Sequence, residues 1–113
     1  MRQHNKAWIG VDLDGTLAHY DKWQGGYIGD PIPEMVDRVK RWLADGRDVR
    51  IFTARADEPS NLPSIKFWCL EHLGAVLPVT NIKDKHMVEL WDDRVVRVKK
   101  NSGEVDTTYE GIE

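Results

Sequence analysis

Hydrophobic and polar positions run along this chain in two rhythms, and the rhythm changes wherever turn-forming residues fall. Residues 7–12, AWIGVD, are a short apolar run with β-branched members, the mark of a central strand. Residues 15–30, GTLAHYDKWQGGYIGD, keep no helical period; the spaced aromatics Tyr20, Trp23 and Tyr27 and the Gly-Gly pair predict an extended hairpin or flap. Pro31 and Pro33 then introduce a helix, with Pro33 at or near its first position and Glu34 in its first turn. Met35, Val36, Val39, Trp42 and Leu43 recur at helical spacing, and Gly46 is a natural stop.

DVRIFTAR (48–55) alternates and ends on Thr53, predicting a second strand, and DEPSN (57–61) reads as a loop. Leu62 to Leu73 predicts a second helix with Ile65, Trp68, Cys69 and His72 on one side and Gly74 after it. AVLPVTNI (75–82) predicts a third strand, and Pro78 assigns it to a sheet edge. LWDDRVVRV (90–98) predicts one or two more short strands around Asp92 and Asp93, and 101–113 is acidic and turn-rich, a loose tail.

Strands alternating with helices predict βαβ units, an α/β fold and a mostly parallel sheet. Ligands in such sheets bind beyond the carboxyl ends of the strands. Asp12, Asp14, Thr53, Lys83 and Asp92 all fall at or just past predicted strand ends, so they are expected to converge.

Length and composition narrow the function. With 113 residues the chain is one domain with one core. A net charge of −3 argues against general nucleic-acid binding, while a locally cationic pocket for a phosphorylated substrate remains compatible with it. The single cysteine, Cys69, fits a reducing, cytoplasmic compartment, and its apolar neighbours assign it to packing. No segment approaches the roughly 20 apolar residues of a membrane span. MRQHNK at the start lacks the pattern of a signal peptide. Of the five tryptophans, Trp8, Trp42, Trp68 and Trp91 lie in apolar stretches and are expected in or near the core, whereas Trp23 sits among polar residues and glycines.

Two carboxylates at the end of a buried strand, Asp12 and Asp14, demand a cation or a special backbone geometry, because burying unpaired charge costs several kcal/mol. Together with Asp92 and Asp93 they form a hard, oxygen-rich set suited to Mg²⁺. The Thr53 hydroxyl with Ala54 beside it, the backbone N–H groups around Leu13, Gly15 and Thr16, and the Lys83 ammonium are suited to hold phosphoryl oxygens. One aspartate in such a site can attack phosphorus and another can move the proton.

The ordered set resembles the haloacid-dehalogenase-like (HAD) superfamily of phosphohydrolases. Its D-x-D-G-T motif stands as Asp12-Leu13-Asp14-Gly15-Thr16, its Thr/Ser as Thr53 in IFTAR, its lysine as Lys83 or Lys85 in NIKDK, and its acidic pair as Asp92-Asp93 in LWDDR. The resemblance covers roughly residues 7–98 in the family's order, which makes it far more specific than a lone DxD. It implies a three-layer Rossmann-like α/β sandwich, with a catalytic domain over 1–100, a flap at about 15–30 and a tail over 101–113. It also implies that Asp12 is nucleophile and metal ligand. Asp14 would be general acid/base and give its backbone carbonyl to the metal, Thr53 and Lys83 would bind phosphate, and Asp92 and Asp93 would complete a Mg²⁺ site. Lys83 lies nearer the strand end than Lys85.

The gaps between motifs are too short for the cap domain of larger members. In this superfamily a capless form implies a bulky substrate or an oligomer that closes the site. The flap aromatics then become the expected contacts for a phosphorylated small molecule, a nucleotide or a nucleic-acid end. Two other readings exist. A response-regulator receiver shares the residue types, but there the acidic pair comes first and the phosphoacceptor mid-chain. A catalytically inactive, phosphate-binding interaction module would keep the residues without turnover. His19, His72 and His86 show no ligand spacing, and Arg55 and Arg94 fit phosphate contact and local carboxylate pairing equally.

Overall fold

The computed structural model describes residues 7–111; the leading hexapeptide read for a signal peptide, and the last two residues of the predicted tail, lie outside the described residues. Six main elements follow one another: β1 (Trp8–Val11), α1 (Pro33–Ala44), β2 (Asp48–Phe52), α2 (Leu62–Leu73), β3 (Val79–Thr80) and β4 (Met87–Trp91). The strands form one sheet in the order β3-β2-β1-β4, and every pairing is parallel. The fold is therefore α/β and Rossmann-like, as the alternation of elements predicts. β1 has a partner on each side and is buried along its whole length.

Pro33 opens α1 with Glu34 in its first turn, and Gly74 closes α2 in a left-handed conformation. The two helices touch each other and share one core with the sheet. Ile9 and Val11 of β1 meet Val49 and Ile51 of β2 there, under Val36, Val39 and Trp42 of α1 and Ile65, Cys69 and Leu73 of α2. Cys69 is fully buried, and burial pushes its thiol up to about 11, so it packs and does not react.

Alternation along β1 turns Trp8 and Gly10 to the opposite face, where no helix lies among the described residues. The third layer there is the connection 81–86, which crosses from β3 to β4. Asp84 accepts from Trp8 Nε1 at 2.8 Å, His86 accepts the Trp8 N–H at 3.0 Å, and Arg50 stacks 4.6 Å above the Trp8 ring. The side chains of Met87 and Leu90 crowd Gly10, so that a Cβ there would come within 2.7 Å of Met87. An indole ring and one aspartate thus fasten the crossing to this face of the sheet.

Three boundaries differ from expectation. The third strand is only two residues long, because β3 is an edge strand and pairs on one side; Pro78, without an N–H, contributes its carbonyl to Ile51 at 2.8 Å. β4 begins at Met87 and ends before Asp92, and 92–97 is not sheet. The tail is not loose. Val98 bridges Val105, Lys99 N–H donates to Glu104 at 2.8 Å, and Asp106 N–H donates to Arg97 at 2.8 Å, with Asn101 and Gly103 turning the chain. The returning segment covers the open side of β4, where Gly111 lies on Trp91 and the Tyr109 hydroxyl donates to Glu89. Glu89 is only 6% exposed and also accepts from Trp91 Nε1 at 2.9 Å, so the tail supplies a buried carboxylate with a needed donor. Of the tryptophans expected inside, Trp8, Trp42 and Trp68 are buried, and Trp91 is half-buried, edge-on to Trp42 at 5.2 Å.

Tyr109→Phe removes that donor and leaves the buried carboxylate short of a partner. Its urea midpoint should fall with an unchanged slope; an unchanged midpoint would mean that the docked tail adds nothing to stability.

Candidate functional site

β1 and β4 are parallel neighbours, so their carboxyl ends open on the same edge of the sheet. The Asp12 N–H donates to the Trp91 carbonyl at 2.9 Å, which sets the two ends side by side. Asp12 leaves β1 there, and Asp92 and Asp93 leave β4. One carboxylate oxygen from each of the three lies within 4.8 Å of the others.

Thr16 ties the group together. Its Oγ1 accepts the Asp93 N–H at 3.0 Å and has Asp93 Oδ1 at 3.2 Å and Asp12 Oδ2 at 3.4 Å; its one hydrogen serves one carboxylate at a time. Arg94 N–H fixes Asp92 Oδ1 at 2.8 Å. Gly15 makes room: its φ is +92°, and a Cβ would stand 2.8 Å from Asp93 Oδ2.

Among the described residues, no cation lowers the Asp12 carboxyl in this cluster. Asp12 is pushed from its ordinary 3.8 up to about 7, first by burial, then by the charges of Asp92 and Asp93, a hydrogen bond with Asp93, and lastly the charge of Asp14. The donor set is all oxygen, which suits Mg²⁺, Mn²⁺ or Ca²⁺ and not a metal that prefers thiolate or imidazole. Three carboxylate oxygens within 4.8 Å of one another, all hard donors, are a set that a small divalent cation could draw together, so the residue types fit such an ion.

Asp14 stands apart from the cluster. Arg55 grips it with Nε to Oδ2 at 2.7 Å and Nη2 to Oδ1 at 2.8 Å. The same guanidinium donates to the carbonyls of Gly26 at 2.9 Å and Tyr27 at 3.0 Å, and lies 4.8 Å from the Trp23 ring. Arg55 is 6% exposed. Breaking such a buried pair on one side costs about 3–5 kcal/mol. The alternative left open for Arg55 resolves in favour of a carboxylate. Its position two residues past the strand-end Thr53 was the available signal, but Asp14, 41 residues away, could not be chosen without the fold.

Thr53 is buried at the end of β2, and its Oγ1 accepts the Arg55 N–H at 3.2 Å, leaving the hydroxyl hydrogen for a ligand. Ala54 opens the single turn that follows. Of the three N–H groups expected to cradle phosphate, that of Gly15 is spent on the Ala18 carbonyl at 2.8 Å and that of Thr16 points to Leu13 at 3.4 Å. Leu13 N–H has no partner among the described residues. The expectation is corrected accordingly: the tight turn consumes its own donors, and Thr16 contributes through its hydroxyl. Lys83 is exposed on the 81–86 crossing and lines a groove of about 560 Å³ with Leu90 and Asp92, whereas Lys85 does not line it. Neither lysine forms an ion pair among the described residues. His19 pairs with Asp21 and His72 packs on Trp68, away from the cluster.

The fold and site thus define an α/β protein with three converging aspartates at the carboxyl edge of a parallel sheet. No family model matches the chain, and no curated protein does. One solved structure, that of a conserved protein coded by a locus from Bacteroides thetaiotaomicron, is similar with a TM-score of 0.62 at 24% identity, over 81% of this chain and 79% of that one. That likeness bears on the fold alone.

Gly15→Ala should cost roughly 1–3 kcal/mol from its left-handed backbone, displacing Asp93 as well. The Asp12 carboxyl gives a pH test. Its pKa is raised in the folded protein, so the stability it contributes is full below about 3.8 and is lost as pH rises through about 7. In EDTA, Asp12→Asn should therefore raise the Tm at pH 8 and change it little at pH 4. An equal effect at both pH values would contradict the uncompensated cluster.

Proposed function

We propose that the protein is a Mg²⁺-dependent phosphohydrolase that cleaves a phosphate monoester through an aspartyl-phosphate on Asp12. The observation that carries this is the convergence of Asp12, Asp92 and Asp93 without a protein cation, beside an Asp14 held separately by Arg55. Asp12, Asp92 and Asp93 would hold the ion, with the backbone carbonyl of Asp14. When bound, Mg²⁺ supplies the positive charge that keeps Asp12 anionic and offsets the charge of the phosphoryl group.

The chain's own residues carry the steps. Asp12 attacks phosphorus; the bond from phosphorus to its carboxylate oxygen forms as the bond to the leaving oxygen breaks, and Asp14 gives that oxygen a proton. Asp14 then takes a proton from water, the water oxygen bonds to phosphorus, and the bond to Asp12 breaks, releasing phosphate. The Thr53 hydroxyl and Leu13 N–H would orient the phosphoryl oxygens, and Lys83, which lines a groove together with Asp92, would add its positive charge. The exposed Trp23, over the buried Arg55, offers a ring on which a base or sugar can stack, which favours a nucleotide or a nucleic-acid end among phosphorylated substrates.

Hydrolysis of an aryl phosphate should vanish in EDTA and return with Mg²⁺, and Asp12→Asn should lose at least about 10³-fold in kcat. Labelled substrate should leave phosphate on Asp12 by mass spectrometry. Full turnover in EDTA, or wild-type rates in Asp12→Asn, would overturn the reading. Trp23→Ala should change selectivity between nucleotide and small aryl substrates while the melting curve stays put.

A further inference from the structure

Arg55 is fixed at its backbone before its side chain does anything. Its N–H donates to Thr53 Oγ1 at 3.2 Å, and its carbonyl accepts from Asn61 Nδ2 at 3.0 Å. From that anchor, four of the five guanidinium N–H bonds are engaged, two by Asp14 and two by flap carbonyls at Gly26 and Tyr27. The flap closes at its base through His19 N–H to the Asp30 carbonyl at 2.8 Å, and its middle meets the body of the protein at this cation. Trp23 is 55% exposed on top of it.

Both Asp14 oxygens already accept a guanidinium N–H, which leaves one lone pair on each and holds the carboxylate against Arg55 in this arrangement. Loss of the flap carbonyls would leave two N–H donors of a nearly buried guanidinium without acceptors, and a rigid fork can regain partners only by reorienting as a whole. Displacement of the flap therefore favours a shift of Arg55 and, with it, of Asp14.

We propose that Arg55 is a positioning residue that couples the 19–30 flap to Asp14, so that a group stacking on Trp23 and displacing the flap releases an Asp14 oxygen toward the leaving group. The link to catalysis rests on the reading of Asp14 as the proton-transfer group; the mechanical coupling does not. Coupling is reciprocal: if the flap sets Asp14, then altering Asp14 must loosen the flap.

That reciprocity can be read without any activity. Lys22 is the one trypsin site within residues 19–30, and Lys66, on α2, reports global unfolding. In the full chain, the ratio of cleavage at Lys22 to cleavage at Lys66 should rise about 10-fold in both Asp14→Asn and Arg55→Lys, which keeps the charge but not the fork. Taking the ratio removes any general loss of stability. A rise in Arg55→Lys alone would show that Arg55 merely pins the flap, and no rise in either would remove the clamp; each overturns the coupling.

A kinetic arm then addresses the consequence. Arg55→Lys should lower kcat for an alkyl phosphate, whose leaving group needs the proton, more than for an aryl phosphate, with KM less affected. An equal loss on both substrates would overturn the catalytic half of the proposal. Absence of hydrolysis by the wild-type protein would instead remove the phosphohydrolase reading and leave the cleavage ratio to decide the coupling.

Discussion

Three carboxylates at the ends of two adjacent parallel strands repel one another, and much of the site is arranged around that repulsion. Parallel pairing of β1 with β4 delivers Asp12, Asp92 and Asp93 to one edge, where an antiparallel pairing would send them to opposite ends. Burial raises the cost for Asp12 in particular. The surroundings then accommodate the crowding without relieving it: Thr16 shares one hydroxyl among the acids, and Gly15 removes the Cβ that would exclude Asp93. The remainder of the fold keeps the two strand ends from parting. The helices clamp one face, the Trp8–Asp84 bond fastens the crossing on the other, and the returning tail closes the free side of β4.

Asp12 and Asp14 stand two residues apart and meet opposite environments. Asp12 faces other acids, and a positive charge from outside the chain would relieve it. Asp14 faces a buried guanidinium supplied by the chain itself. The roles proposed for the two carboxyl groups follow the resemblance of the D-x-D-G-T stretch; with no metal bound these environments alone would favour the reverse, so the proposed division depends on a cation that makes Asp12 anionic. The flap shares this arrangement, because the cation that holds Asp14 also holds the carbonyls of Gly26 and Tyr27.

Much of this was legible in the residues. The apolar run ending in Asp12, the alternation in 48–55, the prolines before the first helix and the periodicity of Leu62–Leu73 specify the βαβ order, and parallel strands bring strand-end residues together. Less legible were features set by contacts across the chain. Residues 101–111 carry acidic and turn-forming types that read as loose, yet Tyr109 is drawn onto β4 by Glu89, a carboxylate whose burial no local pattern reveals. Gly15 was readable as a tight turn, but not that the turn would spend its own N–H on Ala18. Arg55 was visible as a cation beside a strand end, and its partner depended on a flap with no periodicity to read.

Burial and the charges of Asp92 and Asp93 raise the Asp12 carboxyl to about 7, and the proposed divalent cation would bring it back down. Following the Asp12 side-chain carboxyl carbon by NMR against pH, with Asp12→Asn for assignment, measures this directly. In EDTA the resonance should titrate near pH 7, and with saturating Mg²⁺ its midpoint should move well below that. A midpoint near 4 in EDTA, or one that Mg²⁺ leaves unchanged, would contradict the claim.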